Sequence, residues 1–125
     1  MLFRSFHRKA LNIQEFNFNT IRSSSEANDK KLNLINCWDE EVKVEIGIPT
    51  ETSGKYAFKS LQAAANDLKE NKIDAVVTAP INKQVMQQEG FKFPGHTEYF
   101  AEMYGVKDQV MILVSETLRV ASLVY

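Results

Sequence analysis

The sequence predicts an α/β fold, a mixed sheet flanked by helices, on three observations. The apolar positions Tyr56, Phe58, Leu61, Ala65 and Leu68 recur at helical spacing from Ser53 to Asn71. The fully apolar run Ala75 to Val77 follows within a few residues, as expected of a strand buried on both faces in parallel α/β wiring. Two more apolar runs, Gln109 to Ser115 and Thr117 to Tyr125, flank a tight Ser-Glu-Thr turn. That spacing favours an antiparallel pair, because a parallel crossover needs about a dozen residues or more.

The elements follow in chain order. Phe16, Phe18 and Thr20 alternate at period two with polar neighbours, and Leu32, Leu34 and Ile35 do so less cleanly, so two strands joined by a polar turn through Ser23 to Asp29 are expected. Val42, Val44, Ile46 and Ile48 alternate better and run into Pro49, which stops regular pairing and makes this an extended lead into the next helix. The Ser53 to Asn71 helix has Thr52 or Ser53 available as N-cap. Lys72-Ile73 passes into the strand Asp74 to Thr78, closed by Ala79-Pro80. Asn82 to Glu89 reads as a short helix ended by Gly90, and Thr97 to Tyr104 as another, with Thr97 as its N-cap and Gly105 as its stop.

At 125 residues the length suits one domain, and a chain of this size can bury roughly two-thirds of its unfolded surface. Hydrophobic residues at 44% and charged residues at 25% are ordinary globular proportions. Fifteen basic and sixteen acidic side chains nearly cancel, so no overall field recruits nucleic acid or an anionic membrane, and any anion site is local. The apolar runs are too short to span a bilayer and the N-terminus lacks a signal-peptide core, which places the chain in the cytoplasm with no membrane partner. Cys37, the only cysteine, excludes an internal disulfide and reads as a small packed hydrophobe rather than a reactive thiol.

Two polar turns carry residues suited to anionic ligands. Asn82 and Lys83 follow the Asp74 to Thr78 strand, and ligand crevices in α/β sheets lie beyond such carboxyl ends. There an ammonium could pair with a phosphate or carboxylate and an amide could orient a hydroxyl, although a solvated lysine in a first helical turn fits equally. His96 and Thr97 open a helix, where unpaired N–H groups and a partial positive charge favour anions. Spacing alone is served as well by a capping threonine beside a loop histidine. Glu98 and Glu102 read as a solvated helix face, and Arg119 as one half of an ion pair within the sheet ahead of a contact to an anion. The five glycines form neither G-x-G-x-x-G nor a Walker loop, and two histidines with one cysteine make no convincing metal site.

Three ordered blocks, T-A-P-I-N-K from Thr78, F-P-G-H-T-E-Y-F from Phe93 and M-I-L-V-S-E-T-L-R-V-A from Met111, carry a resemblance. Together they resemble the 4-hydroxythreonine-4-phosphate dehydrogenase family of pyridoxal phosphate biosynthesis. The likeness runs from about His7 to Tyr125 and is strongest from Gly54 onward. It implies part of an isocitrate dehydrogenase-like fold in a homodimer whose site lies at the subunit boundary. The implied activity is NAD-dependent oxidation and decarboxylation of 4-phosphooxy-L-threonine to 3-amino-2-oxopropyl phosphate. A dehydrogenase of a related four-carbon acid, phosphothreonate, is the near alternative, and a non-catalytic α/β binding or assembly module is the distant one.

By the same resemblance His96 and Thr97 contact the phosphorylated substrate; Asn82 and Lys83, from their place after the strand, are expected to face the same crevice as positioning contacts, and no catalytic residue is assigned. Many relatives carry histidine where Asn82 stands, so this position is expected to orient rather than transfer protons. The implied cofactors are NAD and a divalent metal (zinc, magnesium or cobalt) with ligands outside this chain, the first histidine being expected immediately after Tyr125. Residues 1–125 are therefore expected to be one central fragment of a larger enzyme, inactive alone, with residues 1–5 set aside as non-native.

Overall fold

A computed structural model describes residues 9–13, 17–43 and 45–123. Phe16, Val44, Val124, Tyr125 and residues 1–5 lie outside the described residues, as do the parts of the sequence reading that fall on them. The described chain divides into two units, the first extending through Gly90 and the second beginning at Phe91.

In the first unit, strands β1 (Asn19–Ile21) and β2 (Asn33–Ile35) pair in register Asn19↔Asn33, Thr20↔Leu34 and Ile21↔Ile35. The pairing is parallel, and the Ser23 to Asp29 stretch is a short crossover rather than a hairpin turn. It holds a 3-10 turn, Ser24–Glu26, capped by the Ser23 hydroxyl, which accepts from the Ser25 N–H at 3.3 Å. The Asn33 amide then fixes the return: its oxygen accepts from the Asn28 N–H at 3.0 Å and its nitrogen donates to the Asn28 and Lys31 carbonyls at 2.9 Å.

The expected long helix is α1 (Glu51–Lys69), and its cap lies earlier than the sequence reading put it. Thr50, not Thr52 or Ser53, is the N-cap: its hydroxyl accepts from the Ser53 N–H and the Ser53 hydroxyl accepts from the Thr50 N–H, both at 3.1 Å. This reciprocal box satisfies two backbone donors that would otherwise be open. Helix α1 buries Gly54, Leu61 and Ala65. Trp38 rests on it with its ring 4.6 Å from that of Tyr56, while Lys59 pairs with Glu40 at 3.3 Å and lies 5.2 Å over the Tyr56 ring. Upstream, the alternating residues 42–48 form no strand among those described, and Gly47 turns the chain at φ 76°.

The strand expected at Asp74 to Thr78 does not form: the backbone from Ala75 to Asn82 is irregular and Val77 is 98% exposed. An apolar run becomes a strand only where a neighbour accepts and donates its hydrogen bonds, and no described strand pairs with it. For the same reason the single mixed sheet is replaced by two separate pairs, parallel β1–β2 and an antiparallel pair in the second unit. Helix α2 (Lys83–Gln88) follows, burying Val85 and Met86, and the chain leaves it through Gly90 at φ 91°.

The second unit contains helix α3 (His96–Tyr104) and strands β3 (Val110–Val114) and β4 (Arg119–Leu123). Tyr99 anchors α3 among aromatic rings, 5.7 Å from Phe91, 5.3 Å from Phe93 and 5.6 Å from Phe100, and Phe91 is fully buried. Gly105 ends α3 in the left-handed region at φ 66°, returning its N–H to the Glu102 carbonyl at 3.1 Å. Strands β3 and β4 form the expected antiparallel hairpin, with Ile112 opposite Ala121 and Leu113 opposite Val120. Its turn is closed by Ser115 and Leu118: the Ser115 N–H donates to the Leu118 carbonyl at 2.8 Å, and the Leu118 N–H to the Ser115 hydroxyl at 3.1 Å. The ion pairs among the described residues do not include Arg119, contrary to the expected pairing within the sheet. No helix of the described residues is long and apolar enough to cross a membrane.

Candidate functional site

The sequence places Asn82 after Pro80 and before the apolar pair Val85-Met86, which is the pattern of a cap followed by a buried first turn. Asn82 is the N-cap of α2, and its side-chain oxygen accepts from the Val85 N–H at 3.4 Å. The amide nitrogen is left with two donors for a ligand, and an amide cannot act as a proton carrier. Lys83, the first residue of α2, is exposed and takes part in none of the ion pairs named above. With the Asp74 to Thr78 strand absent, no crevice at its carboxyl end holds these two residues. They are positioned by the cap and by the burial of Val85 and Met86.

His96 and Thr97 are the first two residues of α3, and both are half-buried. The helix begins one residue earlier than expected, with extended Gly95 as an N-cap that has no side-chain hydrogen bond. Thr97 is therefore not the cap, and its hydroxyl is not committed to closing the helix. The first helical bond runs from the Tyr99 N–H to the Gly95 carbonyl at 3.3 Å. The N–H groups of His96, Thr97 and Glu98 thus have no acceptor within the helix. An imidazole, a hydroxyl and three backbone donors on one turn suit a phosphate ester or a carboxylate. Glu98, in the same turn, opposes an anion by its own charge and favours one that approaches from the His96-Thr97 side.

The structure brings Asn82 and Lys83 together at the start of α2, and His96 and Thr97 together at the start of α3. Each pair is a local feature of its own unit. Two clefts of the first unit contain none of the four. One, of about 410 Å³, is walled by Trp38 and Tyr56; the other, of about 470 Å³, runs past Arg22, Cys37 and Asp67. Burial, reinforced by the charge of Asp67, pushes the Cys37 thiol above its usual range. Among the described residues no three or more His, Cys, Asp or Glu side chains gather where a metal ion could be held.

One position of consequence escaped the sequence reading. Gly54 is buried in the first turns of α1 against the backbone of Val85 and Met86. A glycine inside a strong helical pattern was the available signal, because it weakens the helix unless something needs the space.

Residues 3–124 match the family model described as Pyridoxal phosphate biosynthetic protein PdxA. The 4-hydroxythreonine-4-phosphate dehydrogenase of Bacteroides thetaiotaomicron is 46% identical over 118 residues, which are 94% of this chain and 32% of the relative. That of a Sulfurihydrogenibium species is 36% identical, over 90% of this chain and 34% of the relative. The crystal structure of the Burkholderia phymatum enzyme of the same name superposes with a TM-score of 0.73 at 32% identity, over 91% of this chain and 35% of that one. The chain thus spans about a third of the length of the relatives it matches. A family match over nearly the whole chain, supported by a shared fold, establishes that this protein belongs to the PdxA family of pyridoxal phosphate biosynthetic proteins.

Proposed function

We propose that this chain is the substrate-gripping part of an NAD-dependent 4-hydroxythreonine-4-phosphate dehydrogenase, with His96 and Thr97 on the phosphorylated substrate and Asn82 and Lys83 as further contacts. In this reading the full-length enzyme would convert 4-phosphooxy-L-threonine to 3-amino-2-oxopropyl phosphate and carbon dioxide by way of the 3-keto acid, with NAD, when bound, supplying the two-electron acceptor and the hydroxyl proton passing to solvent. The observation that carries it is the first turn of α3, where His96 and Thr97 stand half-buried beside open N–H groups, with the hydroxyl free of a capping role.

Each residue's part follows from its chemistry. The Thr97 hydroxyl and the N–H groups donate to phosphate oxygens, His96 donates from a ring nitrogen, and Lys83 supplies a full positive charge. Asn82 orients a hydroxyl through its amide N–H. None of these groups is assigned the transfer of the hydride or of the carboxylate. The divalent metal of this reading finds no ligand set among the described residues. The same reading includes the isocitrate dehydrogenase-like fold, a homodimer, and a place in the cytoplasm as one part of a longer enzyme. The relatives' threefold greater length supports its being one part of a longer enzyme.

Calorimetric titration of 4-phosphooxy-L-threonine into the chain and its His96→Ala variant tests the assignment. A hydrogen bond to a charged group contributes roughly 1.5–3 kcal/mol, so His96→Ala should weaken binding by about 10- to 100-fold with the far-UV spectrum unchanged. Equal affinities, or tighter binding of phosphothreonate, would remove it.

A further inference from the structure

We propose that Gly54 is a positioning residue, whose missing side chain lets α1 seat against the backbone of α2 and so fixes where Asn82 and Lys83 stand. The inference rests on the reading that those two residues contact the substrate.

Gly54 is not required by backbone conformation, since it lies within α1 and has no positive φ. Glycine in a helix is less favourable than alanine, so the space it leaves is what matters. A Cβ built at this position would lie 2.7 Å from the Val85 carbonyl carbon and 3.1 Å from the Met86 nitrogen, with the Val85 carbonyl oxygen nearer still. These are main-chain atoms of residues that are 8% and 0% exposed, and they cannot swing aside as the end of a flexible side chain could.

Val85 and Met86 are each bonded to Asn82. The Val85 N–H donates to the Asn82 side-chain oxygen at 3.4 Å, and the Met86 N–H donates to the Asn82 carbonyl at 3.2 Å. With only six residues, α2 has little internal rigidity, so its place is set by the buried Val85 and Met86 and by the approach of α1. A methyl group at 54 must push Val85 and Met86 away, and the displacement passes through those two bonds to Asn82 and on to Lys83.

The test uses the 125-residue chain, labelled with nitrogen-15 and kept below the concentration at which it associates. Gly54→Ala, Asn82→Ala and Lys83→Met are compared with the parent for far-UV helicity, amide shifts and affinity for 4-phosphooxy-L-threonine. Loss of one hydrogen bond to a charged ligand group weakens affinity by about 10- to 100-fold, and a loss of about 10-fold or more is expected for Gly54→Ala. Helicity should be retained, and the amides of Asn82, Lys83, Val85 and Met86 should move before ligand is added. Gly54→Ala and Asn82→Ala should combine to less than the sum of their separate effects in the double variant, because the second change removes the side-chain bond and leaves only the bond from the Met86 N–H to the carbonyl of residue 82. Parent-like affinity in Gly54→Ala while Lys83→Met binds weakly would overturn the positioning role alone. Unchanged affinity in Lys83→Met, or no binding by the parent, would remove the underlying reading and the positioning role with it. Global unfolding of Gly54→Ala would make the residue a general requirement of the core and overturn the proposal as well.

Discussion

Ile112→Lys should abolish self-association of this chain, because the β3–β4 hairpin presents apolar side chains to solvent on both faces. Pleating puts Val110, Ile112 and Val114 on one face and Met111 and Leu113 on the other, and all five are between 48% and 67% exposed. Full burial of such a side chain contributes roughly 1.5–3 kcal/mol, so covering the exposed half of each yields about 1 kcal/mol. A face-to-face contact of two chains then gathers about 6–7 kcal/mol from the three β3 residues and Ala121 opposite Ile112, against an association cost of about 4–15 kcal/mol. The balance is weak, concentration-dependent association, and the open strand edges add to it. A lysine at 112 forfeits about 1 kcal/mol per chain and adds desolvation of a charge, some 2–4 kcal/mol per dimer, or roughly 30- to 1,000-fold in the dissociation constant. Sedimentation velocity from micromolar to near-millimolar chain reads this directly, with Thr117→Lys in the exposed turn as a control that should change little. A parent chain that stays monomeric throughout and melts sharply would refute the reasoning, as would identical curves for parent and Ile112→Lys.

Two further outcomes are expected. Thr50→Ala removes one half of the capping box and should lower stability by about 1 kcal/mol in urea titrations, whereas Thr52→Ala should change it by much less; equal effects would return the cap to the position first inferred. The pH–rate profile for alkylation of Cys37 should be displaced upward in the folded chain relative to the chain in urea, because burial, then the charge of Asp67, disfavours the thiolate. The sign for stability follows: the contribution is fully present below the ordinary thiol value and is lost as pH rises through the raised folded value. Coincident profiles in the two states would contradict this environment for the thiol.

Local signals in the sequence were read well where a single segment decides the outcome. The apolar period from Tyr56 to Leu68 and the stops at Gly90 and Gly105 gave α1, α2 and α3 to within a few residues, and the short Ser115 to Leu118 turn gave the antiparallel hairpin. The signals failed where the deciding partner is remote. Ala75 to Val77 has the composition of a buried strand, but a strand exists through its neighbours' hydrogen bonds, and no described strand supplies them. The parallel orientation of β1 and β2 depends on Asn33 gathering the Asn28 to Lys31 turn, a side-chain network that periodicity does not register. At the site, the H-T pair was legible as a helix start, but the cap fell on Gly95 because the backbone there is extended and the aromatic packing of Tyr99 fixes the register. Gly54 stands out as a glycine within a helical pattern, but what needs its space, the backbone of Val85 and Met86, is remote in sequence.

The central claim is that the imidazole and hydroxyl opening α3 hold the phosphate ester. Two-dimensional NMR of the chain titrated with 4-phosphooxy-L-threonine, with inorganic phosphate in parallel, tests it most directly. Saturable shifts centred on the His96 and Thr97 amides and the His96 ring, absent in His96→Ala, are predicted. Saturable binding that leaves those signals still, or that persists unchanged in His96→Ala, would contradict it.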